Sequence, residues 1–249
     1  MNFVLFRLLF CLIPATGLAQ TAGAACRQAL ALGLDVSWSV DQREYALQLG
    51  GLAAAMLDED VQSTLLGMPS APVALAIYEW SGRANQALIL DWTKITTPGD
   101  IAHIAALLRV REPPDGVRTT AIGRAITYGG DLLARAPECW KYTLDISGDG
   151  RNNDGHRPKN AKTHPMFRTA IINGLVIGAA EPSAIKGVDK EIGRLQNYYR
   201  QEVIHGPGAF IETAVGFRDF EKAMRRKLLR ELTLAVAAAD PPKFLKDGI

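Results

Sequence analysis

Residues Ala29–Ser39 read ALALGLDVSWS. The run Ala29–Val36 is apolar apart from Asp35 and shows no polar–apolar alternation until its end, the pattern of a strand buried on both faces in a parallel sheet. Such a strand needs helices on either side, and the flanking sequence supplies them. Asp41–Leu57 sets Tyr45, Leu49, Leu52 and Met56 on one helical face. Pro72–Trp80 (PVALAIYEW) and Gln86–Trp92 (QALILDW) read as strands, and the short Ser81–Asn85 link between them predicts an antiparallel hairpin. Thr97–Arg109 is a helix with a Thr-Pro start, and Thr120–Ala136 is a second strong one. Strands follow at Lys141–Ser147, Ala170–Ile177 and Phe210–Val215, with helices at Val188–Gln201 and Phe217–Ala237. Strands alternating with helices predict one α/β domain with a mainly parallel sheet.

The composition agrees. The chain has 249 residues, 48% of them hydrophobic, enough for a sizeable single core. Its 28 Lys and Arg against 26 Asp and Glu leave a net charge of +2, too balanced for a nucleic-acid-binding protein. At the start, Arg7 precedes the apolar run Leu8–Ile13, Pro14 breaks it, and Gly17-Leu18-Ala19 offers small residues for cleavage. That order predicts a signal peptide over residues 1–25, cut near 19–25, and an exported protein, periplasmic or secreted. The apolar stretch is shorter than a bilayer span, and no later stretch suits one. Residues 26–238 then form the domain and 239–249, with Pro241-Pro242, a flexible tail. Export leaves Cys26 and Cys139, an even pair where disulfides persist.

In an open α/β sheet, ligands bind beyond the carboxyl ends of the strands. Those ends carry Asp35-Val36-Ser37-Trp38-Ser39 after the first strand and Ser147-Gly148-Asp149-Gly150 after the fourth, with Thr120 in Arg118-Thr119-Thr120-Ala121-Ile122-Gly123 before a helix. Two carboxylates and three hydroxyls make an all-oxygen set suited to a small hard cation such as Mg²⁺ that keeps an open position for a partner's carboxylate. The plainer reading is that Asp35 and Asp149 cap the helices that follow, which leaves both serines and the threonine without a role.

These residues resemble the metal-ion-dependent adhesion site of von Willebrand factor type A domains: Asp35, Ser37 and Ser39 match its first motif, Thr120 its second and Asp149 its third. The resemblance runs from about Ala29 to Leu234, and phrases such as Glu79–Gly82 (EWSG) and Ser147–Asn153 (SGDGRNN) are closest to exported bacterial members. It implies an open, doubly wound, mainly parallel six-stranded sheet in the order 3-2-1-4-5-6, with one antiparallel edge strand and helices on both faces. It also implies Mg²⁺ or Mn²⁺ bound at Asp35, Ser37, Ser39, Thr120 and Asp149, and a protein partner that offers an exposed Asp or Glu. Arg118 departs from the family, which often has glycine there. Because the first and fourth strands are neighbours in that order, the resemblance further implies a Cys26–Cys139 disulfide at the opposite end of the sheet.

Trp38, Arg118, Arg151, Asn152 and Asn153 are the expected rim for a partner, although for Trp38 packing beneath its loop is the slightly preferred reading. Arg151–Arg168 is polar and basic, either a contact rim or a solvated loop. Lys222, Arg225, Arg226, Lys227 and Arg230 read as a solvated helix face. Asp145, mid-strand, needs a partner and is read as steadying the site or pairing a buried arginine. His103, His156, His164 and His205 show no zinc spacing, and hydrolase and nucleotide motifs are missing, so no catalytic residue is assigned. The expectation is a cation-dependent binding module; a metal-dependent hydrolase or phosphoesterase, and a domain merely stiffened by metal, are the alternatives.

Overall fold

All ten residues of β1 (Cys26–Asp35) are buried. Its side chains alternate in size, which is why no alternation of polarity is visible: Leu30, Leu32 and Leu34 enter one core layer, Ala29 and Ala31 the other. On the small side Gly33 lies so near the Tyr78 ring that a β-carbon would stand 2.6 Å from Cζ. The structure, a computed structural model, describes residues 26–114, 119–178 and 188–238. The expected signal peptide and tail lie outside them.

β1 pairs in parallel with β2 (Val73–Trp80) and with β4 (Cys139–Gly148). β3 (Gln86–Ile95) returns antiparallel to β2 across the predicted hairpin, three residues longer than its apolar run suggests. β5 (Ile171–Ile177) and β6 (Ile211–Ala214) extend the parallel part, giving the order β3-β2-β1-β4-β5-β6 that the family resemblance implies. The leucine face of β1 is covered by α1 (Gln42–Leu57), α2 (Glu59–Leu66), α3 (Pro98–Arg109) and α7 (Phe220–Ala238). The other face is covered by α4 (Ile122–Ala134), α5 (Pro158–Ala161) and α6 (Val188–Tyr198). Capping sets the boundaries: Asp41 and Thr97 close capping boxes with Glu44 and Asp100 and stand just outside their helices. α2 has no counterpart in the sequence reading, because only Val61 and Leu65 turn inward and a single pair shows no period.

Three expectations are corrected. Asp145 pairs with Lys227 (2.6 Å), not with an arginine, and Lys227 also meets Glu231 at 2.7 Å, all three buried. Lys227 is therefore no part of a solvated face, whereas Arg225 and Arg226 stay on that face and pair with Asp58, Asp60 and Glu212. The Arg151–Arg168 segment is not a free loop. It forms α5 and a 3₁₀ turn at Pro165–Arg168, and it lies so tightly on α4 that a β-carbon on Gly123 would stand 2.1 Å from the His156 carbonyl oxygen.

At the amino ends of β1 and β4, Cys26 and Cys139 are in register and joined as a disulfide, their Cα atoms 4.3 Å apart. The bridge closes a sequence separation of 113 residues, so serine at both positions is expected to lower the unfolding free energy in urea by about 4–5 kcal/mol on the chain-entropy model. Gly123→Ala should destabilise by about 1–3 kcal/mol through overpacking. Helix propensity alone would reverse that sign with a gain of about 0.5–1 kcal/mol. Burial raises the Asp145 carboxyl to about 7, with Lys227 opposing and Glu231 adding to the rise. Its folded-state value lies above the unfolded one, so its stabilising share is full below about pH 4 and is lost as pH rises through about 7. Urea titrations between about pH 5 and pH 8 should show that fall in the wild type and a shallower one in Asp145→Asn.

Candidate metal centre

The carboxyl end of β1 is held from three sides. Val36 N–H donates to the Trp80 carbonyl at 2.9 Å, Gln48 Nε2 donates to the Asp35 carbonyl at 2.9 Å, and Val40 N–H closes a turn on the Ser37 carbonyl at 2.9 Å. Within that turn Asp35 Oδ1 accepts the Ser37 N–H at 2.8 Å. Ser37 Oγ lies 3.2 Å from Ser39 Oγ, and Ser39 Oγ donates to Asp149 Oδ1 at 2.7 Å. Asp35, Ser37, Ser39 and Asp149 thus form one connected chain of oxygens from two adjacent strand ends. Thr120 joins from the loop before α4, its Oγ1 3.8 Å from where a β-carbon on Gly150 would stand.

Asparagines position Thr120. Asn153 Oδ1 accepts the Thr120 N–H at 2.8 Å while Asn153 N–H donates to the Thr120 carbonyl at 2.8 Å, and Asn152 Oδ1 accepts the Gly123 N–H at 3.1 Å. Asp154 accepts from Thr119 Oγ1 (2.7 Å) and from Arg83 N–H (3.0 Å), which ties the β2–β3 hairpin to the same loop. Sequence reading places Asn152 and Asn153 on a partner-facing rim; their side-chain oxygens are engaged in this clamp, while Asn153 is exposed and Asn152 half-buried. The available signal is their place after Gly148-Asp149-Gly150, where asparagines commonly bond to backbone. Arg151 stacks over the Tyr198 ring at 5.4 Å and stays exposed. Trp38 is 78% exposed, which overturns the packing alternative. Arg118 lies outside the described residues.

Asp35 is fully buried, and its Oδ2 accepts no hydrogen bond from any described residue. Burial drives its carboxyl well above the usual range and the Asp149 charge drives it the same way, with hydrogen bonds from Ser37 and from the Asp149 backbone opposing. Burial also raises Asp149, against the Ser39 hydroxyl. Two carboxylates crowded out of water favour whatever brings positive charge to them. Among the described residues no three His, Cys, Asp or Glu side chains form a metal cluster. The donors here are two carboxylates and three hydroxyls, which fit a hard, oxygen-preferring cation and not a nitrogen- and sulfur-loving one.

Sequence reading also missed two residues near this edge. Glu79, buried, receives Arg111 at 2.6 Å and the Tyr45 hydroxyl at 3.1 Å, and so ties down the chain after α3. Tyr199, buried, begins a π-helical turn (Tyr199–Val203) after α6. Its hydroxyl has no described partner, and burial together with Asp35 and Asp149 holds it well above its usual range. Beside Asp149 a groove of about 390 Å³ opens, lined by Gly150, Arg151, Ile177, Ile192 and Arg194 among others.

The fold is similar to that of several solved proteins. Proximal thread matrix protein 1 from the mussel byssus aligns with a TM-score of 0.54 at 14% identity, over 84% of this chain and 47% of that one. A von Willebrand factor type A structure from Catenulispora acidiphila aligns at 0.54 and 12% identity, over 84% and 43%. The pilus adhesin SpaC from Lactobacillus rhamnosus GG aligns at 0.53 and 14%, over 87% and 31%. The chain spans less than half the length of each, and at such identities the likeness is one of fold. A further structure of the mussel protein is described as having a zinc-occupied MIDAS motif, that is, a metal-ion-dependent adhesion site. No curated protein sequence matches the chain. The family model described as "Protein of unknown function (DUF1194)" matches residues 25–236, and this chain, with its von Willebrand factor type A fold, belongs to that family.

Proposed function

We propose that this protein is a cation-dependent protein-binding module. Asp35, Ser37, Ser39, Thr120 and Asp149 hold Mg²⁺ or Mn²⁺, and the cation takes an acidic side chain of a partner as a further ligand. The observation that carries the reading is the buried Asp35 Oδ2 without a donor, beside a second carboxylate 2.7 Å from Ser39. A buried carboxylate oxygen left unpaired is costly, and a hard cation is the partner that this donor set suits. The five protein donors leave one position of an octahedral sphere, which an oxygen of a partner's carboxylate can fill.

The surroundings support a docking role. Trp38 projects from the loop between the two serines, Arg151 flanks Asp149, and the groove beside it accepts side chains next to the acidic ligand. We assign Trp38, Arg118 and Arg151 to the contact rim, with Asn152 and Asn153 contributing through the loop they hold. Residues 1–25 act as an export signal, and the Cys26–Cys139 disulfide suits an oxidising destination. Among the described residues no helix is long and apolar enough to cross a membrane.

Calorimetric titration of chelator-stripped protein with Mg²⁺, and then with Mn²⁺, tests the reading. One saturable site is expected in the wild type and none in Asp35→Ala or Asp149→Ala. At a hundredfold excess of cation over Kd the wild type should gain about 2.7 kcal/mol of stability, and chelation should remove both that gain and any captured partner. Failure of the wild type to bind either cation would overturn the proposal.

A further inference from the structure

Tyr199 reaches the candidate centre by an unusual route. It begins a π-helical turn, and its side chain lies across two strands. The ring crosses Gly174 of β5, where a β-carbon would meet Cδ1 at 2.9 Å, and its tip reaches Gly148 of β4, where a β-carbon would meet the hydroxyl oxygen at 2.5 Å. That same point over Gly148 is 2.9 Å from Asp35 Oδ2. Two strand glycines therefore make a slot whose end brings a phenol oxygen near Asp35 Oδ2, a buried carboxylate oxygen that lacks a donor. Both oxygens are buried and neither has a described partner. Each lies within 3 Å of one shared point, a separation that one water or a small rotation of either side chain closes.

A phenylalanine would fill an apolar slot equally well without burying a hydroxyl, so the hydroxyl calls for a role. Asp35 Oδ1 is already turned towards the Ser37 N–H. A donor on Oδ2 would fix the remaining freedom of the carboxylate plane, as outer partners of metal ligands commonly do. A neutral phenol does this without adding a charge that competes for the cation.

We infer that Tyr199 is a positioning residue of the cation site, its hydroxyl donating to one lone pair of Asp35 Oδ2 directly or through one water, which leaves the other lone pair to the cation and sets how Asp35 meets it. The inference deepens the cation reading above and rests on it. Tyr199→Phe keeps the ring in its slot and removes only the hydroxyl. Calorimetry should show Mg²⁺ affinity reduced by about tenfold or more in this variant, the size typical of an outer-shell loss, in a protein that remains folded without cation. In protein carrying ¹³Cζ-tyrosine, the resonance that disappears in Tyr199→Phe should shift on adding Mg²⁺, and in cation-free protein it should shift on Asp35→Asn. Wild-type Mg²⁺ affinity in Tyr199→Phe, together with a Tyr199 resonance indifferent to Asp35→Asn, would overturn the inference. If the wild type itself binds no cation, the proposed function falls. The cation-free arm then still decides whether Tyr199 holds Asp35: a shift sustains that contact, and its absence refutes it.

Discussion

β1 runs through the middle of the sheet with no residue exposed, and every polar group at its carboxyl end must be satisfied from inside the molecule. Much of the surrounding architecture answers that demand. Gln48 reaches from α1 to the Asp35 carbonyl, Trp80 takes the next N–H, and the turn through Ser37 supplies one donor to the carboxylate. What remains is one oxygen of Asp35, a neighbouring Asp149 and a phenol aimed between the strands. The site is built on a rigid strand end, where geometry is held more tightly than a free loop can hold it.

Other buried acids of this fold show the contrast. Glu79 meets Arg111 and Tyr45, and Asp145 shares Lys227 with Glu231, which Asn173 also contacts at 2.8 Å. In both places a basic side chain from another element stands against the carboxylate, as buried charge requires. At Asp35 no basic side chain of a described residue stands against the carboxylate: one oxygen takes the Ser37 N–H, and the other has no donor within hydrogen-bond distance. A fold that sets a basic side chain against its other buried acids sets none, among the described residues, against Asp35, which lies where ligands bind in open α/β sheets.

How much was legible depended on whether a residue's role was local. Asp35, Ser37 and Ser39 sit at fixed offsets in one turn, and Asp149 ends the neighbouring strand, so their meeting was readable once the strands were placed. Asp41 and Thr97 were legible as helix starts because capping is a contact three residues long. Lys227 was not: a lysine in a basic helix segment looks solvated until a strand carboxylate is found behind it. The hold of Asn152 and Asn153 on the Thr120 segment was not legible either, because their partners lie some thirty residues earlier in the chain.

The sequence by itself determined the strand–helix alternation, the burial of β1 and the oxygen-rich composition of three segments, because hydrophobic pattern and turn chemistry act within a few residues. Only the tertiary structure decided the exposure of Trp38, the partner of Asp145, the clamp on Thr120 and the approach of Tyr199 to Asp35. Each of these turns on a distance between segments far apart in the chain. For Tyr199 that distance is set by Gly174 and Gly148, which let the ring come close, and a linear pattern does not record that clearance.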